Sequence, residues 1–144
     1  MNRIPNILPH IDEAIDKLNA RLDLLAGLQP GWQDDEDLAP SPKAIQSARK
    51  IITVLYELGC NPFSVYPTPD GGIQVEQDHH LPDRVCAAST DIEFHSDGVV
   101  AAQFICDKNA DDPELTLDPR DGWNHPEMAN EIFYWQQELL KTLV

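Results

Sequence analysis

The chain has 144 residues, with 25 acidic against ten basic side chains and a formal net charge of −15. That length suits a single domain, 1–144, burying roughly two-thirds of the surface its unfolded chain exposes, and an apolar share of 42% supplies a core without disulfides or metals. Direct binding to nucleic acid or an anionic membrane surface is excluded, because either needs clustered Lys and Arg, and no apolar run is long enough to span a bilayer.

The opening stretch MNRIPNILPHIDEAIDK has neither the uninterrupted apolar segment nor the small-residue cleavage site of a secretory signal, so the cytoplasm is the expected compartment. Cys60, Cys86 and Cys106 are odd in number and widely spaced. They fit reduced, space-filling thiols better than a disulfide framework or a paired-cysteine zinc site. From Pro9 to Ala26, Ile11, Ala14, Ile15, Leu18, Leu22 and Leu25 recur at the three-and-four spacing of one helical stripe, and Gly27 supplies a stop.

A loop follows, GWQDDEDLAPSP, containing the carboxylates Asp34, Asp35, Glu36 and Asp37. It is expected to be solvated, where water and salt screen neighbouring charges, with the Trp32 ring packed on a helix. Ser41-Pro42 is a cap followed by proline in the first turn of a second helix. Its stripe from Lys43 to Leu58 is Ile45, Ala48, Ile51, Ile52, Leu55 and Leu58, ended by Gly59.

The period then changes from helical to alternating. Phe63–Tyr66 and Ile73–Glu76 flank the turn cluster PTPDGG, a hairpin signal. Asp91–His95 and Val99–Ile105 meet across Ser96-Asp97-Gly98, a second one. Residues 77–89 and 107–122 are expected to be long polar loops, the latter with Leu115 and Leu117 hinting at a short extended piece. Asn124 and Pro126 open a last helix with Met128, Ile132, Trp135, Leu139 and Leu143 on one face. The expected fold is α+β: two N-terminal helices, a four-stranded antiparallel meander, and a C-terminal helix packed on one sheet face.

The GW-initiated loop ending in APSP, the PTPDGGI-V-E hairpin and the later IEF-DG hairpin together resemble a family of small bacterial proteins with no assigned activity. In that family the loop reads GWDG followed by glycine and alanine, and the hairpin ends in Glu-Trp. Here Gln33 to Leu38 replace the glycine-rich part and Gln77 stands in place of the tryptophan. The resemblance covers about residues 25–105; it implies a bacterial or mobile-element origin and no particular chemistry.

No nucleophile motif or phosphate-cradling glycine loop is present, and neither catalysis nor a cofactor is expected. Charge is the distinctive feature: residues 73–144 hold fifteen acids and four bases. On a strand, Asp91 and Glu93 share one face and Ile92 and Phe94 the other, with Glu76 in the outward set. Asp107, Asp111, Asp112 and Glu114 extend an anionic surface, which solubility alone would also explain. The expected partner is a basic protein, a nucleic-acid-binding effector or a toxin, met by Asp34–Asp37, Glu76, Asp91, Glu93, Asp107, Asp111, Asp112 and Glu114 as an inhibitor or immunity protein meets its target. Two alternatives differ in class. Asp78, His79, His80 and Asp83 offer ligands for a metal-dependent hydrolase, and Trp123, Phe133, Tyr134 and Trp135 offer an aromatic surface for a homodimer.

Overall fold

The computed structural model describes residues 8–80, 87–107 and 112–143. The order is α1 (Leu8–Ala26), α2 (Pro42–Glu57), β1 (Ser64–Pro67), β2 (Ile73–His79), β3 (Ala88–Phe94), β4 (Val100–Cys106), β5 (Glu114–Leu117) and α3 (His125–Lys141), with one 3-10 turn at Pro119–Asp121. In α1 the stripe buries Leu18, Leu22 and Leu25. The Ser41 side chain starts α2 by accepting the Ala44 N–H at 3.0 Å, and Pro42 gives up an amide that would have no helical partner. Ala44, Ile45, Ala48, Ile51, Ile52 and Leu55 are buried along it. Leu58, expected in that stripe, is instead the C-cap and 38% exposed.

A reciprocal capping box begins α3: Asn124 accepts from the Glu127 N–H, and the Glu127 side chain accepts from the Asn124 N–H. Its buried face runs through Met128, Ala129, Ile132 and Gln136. Trp135 and Leu139 sit beside that line, half-buried over a second small cluster of Ala88, Phe104 and Cys106.

The sheet is an antiparallel meander of five strands in the order β1-β2-β3-β4-β5, not four. The additional strand is the segment marked by Leu115 and Leu117, which pairs Val100 with Leu117 and Gln103 with Glu114. Leu117 is buried in the main core, and that burial holds an otherwise acidic segment in extended form. The expected loop over 77–89 is also shorter. β2 continues to His79 and β3 begins at Ala88, pairing Gln77 with Thr90 and His79 with Ala88.

The physical reason lies on the inward side of that extension. Gln77 is buried and donates to the Asn61 carbonyl at 2.8 Å, while its own side-chain oxygen is buried with no hydrogen-bond partner among the described residues. The His79 ring stacks on Phe104 and lies 2.7 Å from the Thr90 hydroxyl. Polar residues thus occupy core-facing strand positions because tertiary partners receive them, which alternation of apolar residues does not announce.

The helices form one layer, with α2 between α1 and α3. α1 meets β1, α2 meets β2 and β3, and α3 meets β4 and β5. Val65, Ile73, Val75, Ile92, Phe94, Val100, Ala102 and Leu117 point into that layer and are buried. Each such aliphatic or aromatic side chain contributes about 1.5–3 kcal/mol relative to exposure, less for alanine. No described helix covers the opposite sheet face. No described helix is long and apolar enough to cross a membrane.

Candidate partner-binding face

Strand alternation and register together build the uncovered face. Ser64, Glu76, Asp91, Gln103 and Glu114 stand opposite one another in a row crossing every strand. The neighbouring row is Tyr66, Gln74, Glu93, Ala101 and Thr116, and Asp78 faces Ser89 farther along. Five carboxylates, Glu76, Asp78, Asp91, Glu93 and Glu114, therefore share one surface, and no strand residue is Lys or Arg. Neighbouring strands lie about 4.8 Å apart, and same-face residues along a strand are separated by about two 3.3 Å rises.

The electrostatics of this face are unfavourable at its centre. Glu76 and Asp91 are direct cross-strand partners, a position at which like charges destabilise a sheet. Partial burial, then the charges of Glu76 and Asp78, hold the Asp91 carboxyl above the usual carboxylate range. Small Ala101 leaves a hollow of about 310 Å³ rimmed by Gln74, Asp91, Glu93, Gln103 and Glu114. It is open, polar and well suited to a cationic side chain with several donors.

The remaining sequence-predicted residues are dispersed. Asp34, Asp35 and Glu36 are exposed, as a solvated loop requires. Asp37 is not: it is 7% exposed, and its side chain accepts the Asp34 N–H at 2.9 Å. Its backbone N–H bonds the Asp34 carbonyl, and its own carbonyl accepts from Gly31. Asp37 thus shapes the loop and is withdrawn from any partner. Trp32, expected against a helix, is half-buried and donates its ring N–H to the Leu38 carbonyl within its own loop. Asp107 and Asp112 are exposed beyond the strand ends, and Asp111 lies outside the described residues.

Asp78 was not among the residues the sequence assigned to this face. Its signal was the continued alternation Val75, Gln77, His79 on the inner side, masked because two of the three are polar. The same alternation separates the anticipated metal ligands: Asp78 faces out and His79 faces the core, while Asp83 lies outside the described residues. Burial, only partly opposed by Asp78, lowers the His79 pKa below its ordinary value.

Of the thiols, Cys60 is half-buried and burial pushes its pKa to about 11, against a smaller opposing effect of the Gln136 hydrogen bond. It stays protonated near neutrality and is a poor nucleophile. Cys106 is buried beside Phe104, and Cys86 lies outside the described residues. Trp123, Phe133 and Trp135 pack half-buried against the core, whereas Tyr134 is 65% exposed. No family model matches the chain, and no curated protein or solved structure matches it either.

Proposed function

We propose that the uncovered sheet face docks a basic protein, and that the protein acts without catalysis as an inhibitor or immunity-type partner of a nucleic-acid-binding effector or toxin. The observation that carries this reading is the Glu76–Asp91 pair at the middle of the sheet. A like-charge pair at that position costs stability, whereas solubility is served equally well by acids spread over loops. Stability given up at a particular place is a common mark of a working surface.

Complementary charge accelerates encounter and sets register more than it adds raw affinity. A guanidinium placed over Asp91 and Glu114 makes charge-assisted bonds that a lone carboxylate on a mobile loop does not match. The docking set is therefore Glu76, Asp78, Asp91, Glu93 and Glu114, with Asp34, Asp35, Glu36, Asp107 and Asp112 contributing longer-range attraction.

The test is affinity capture from cells that produce the protein, with the captured partner then titrated against variants. Asp91→Lys with Glu93→Lys is expected to weaken binding at least about tenfold, and raising salt to weaken the wild type. Asp12→Lys with Asp16→Lys, an equal charge change on α1, is expected to cost much less. Equal losses from both double variants, or a complex indifferent to salt, would sink the assignment.

A further inference from the structure

We propose that Asp70, Glu93 and His95 form a site for one divalent transition-metal ion of the zinc class, at the turn end of the uncovered sheet face. One ligand atom from each of the three lies within 4.8 Å of the other two. Around a tetrahedral ion, bonds of about 2.0–2.2 Å to nitrogen and oxygen put its ligand atoms about 3.3–3.6 Å apart. Side-chain rotations that draw the three atoms in by about an ångström close the set.

The three residues come from separate, well-held pieces of backbone. Glu93 is in the middle of the sheet, paired with Gln74 on one side and Ala101 on the other. His95 follows two residues later in the same outward phase. The turn after it is closed by the His95 N–H bonding the Val99 carbonyl and by the Gly98 N–H bonding the His95 carbonyl. Asp70 belongs to the β1–β2 turn, where the Thr68 hydroxyl donates to one carboxylate oxygen and the Gly71 N–H bonds the Thr68 carbonyl. A hydrogen bond of this kind orients a carboxylate while leaving further lone pairs for an ion.

Charge and donor chemistry agree with that geometry. Among the described residues, no Lys or Arg is ion-paired to Asp70 or Glu93; the one ionic contact is between Glu93 and the His95 imidazole, at 3.8 Å. Two carboxylates facing an imidazole across a few ångströms are neutralised by a dication. The imidazole decides which: nitrogen ligands suit zinc and its neighbours, whereas calcium and magnesium favour all-oxygen sites. Three protein ligands leave a coordination position for water or an incoming group. Glu93 is shared with the docking set, but the metal site does not rest on that reading, and its test does not involve a partner.

Metal-stripped full-length protein titrated calorimetrically with zinc at neutral pH is expected to take up one equivalent saturably, and to bind calcium at least about tenfold more weakly. His95→Ala, Glu93→Gln and Asp70→Asn are each expected to reduce zinc affinity about tenfold or more. Asp70→Asn retains a side-chain oxygen for Thr68, so it removes the charge without dismantling the turn. Glu114→Gln, an acid on the same face outside the triad, is expected to leave binding unchanged. Circular dichroism of each variant verifies that it is folded. No saturable uptake of zinc, uptake that survives His95→Ala and Glu93→Gln, or equal affinity for calcium overturns the proposal.

Discussion

At the scale of single residues, Gly72 shows how closely the turns are fitted to the sheet. A Cβ at this position would lie 2.7 Å from the Phe94 carbonyl oxygen and 2.9 Å from the Thr68 hydroxyl, which itself accepts the Gly72 N–H. The first of these is strand backbone and cannot rotate away. Gly72→Ala is therefore expected to destabilise the protein by about 1–3 kcal/mol, the usual cost of overpacking, read as a lowered denaturation midpoint. An unchanged midpoint would mean that the turn has room to shift. The PTPDGG cluster in the sequence signalled a turn, but the close approach of Phe94 is a contact between segments more than twenty residues apart. Asp37 carries the same lesson: within DDED nothing distinguishes it from its neighbours, and only the folded loop makes it a buried acceptor.

At the scale of elements, the helices followed from periodicity and capping chemistry, whereas β5 at one margin of the sheet and the far end of β2 depended on their neighbours. β5 is four residues long and pairs on one side only. The extension of β2 through Gln77, Asp78 and His79 is polar, and becomes a strand because β3 pairs with it and Phe104 lies beneath His79. This extension has a measurable signature. The His79 imidazole is expected to titrate below its ordinary value of 6.5 because burial disfavours the charged form. Its folded value being depressed, the contribution to stability is complete above pH 6.5 and is lost as pH falls through the folded value. NMR titration of His79 checks this, and a value at or above 6.5 would return the residue to a solvated loop.

At the scale of the whole molecule, the division of labour is between a packed face and a charged one. All three helices cover one side of the sheet, so the outward side chains of five strands are left to define a surface. If that surface is retained for binding, stability and affinity should respond to one substitution with opposite signs. Asp91→Asn relieves repulsion from Glu76 and Asp78, and is expected to stabilise the protein by less than about 1 kcal/mol at low ionic strength, given solvent screening. The gain should shrink as salt is added, while affinity for the captured partner falls. Thermal denaturation at two salt concentrations, set beside the binding titration, separates this behaviour from that of a purely solubilising acid, for which the affinity is unaffected.

Composition, periodicity and turn chemistry by themselves determined the α+β class, the three helices, two hairpins and the outward phase of Glu76, Asp91 and Glu93, because each is encoded within a few residues of backbone. Tertiary structure alone decided the fifth strand, the reach of β2, the burial of Asp37 and the meeting of Asp70 with Glu93 and His95. These depend on pairings between distant segments, where a side chain's environment is set by what the rest of the chain brings to it rather than by its own neighbours in sequence.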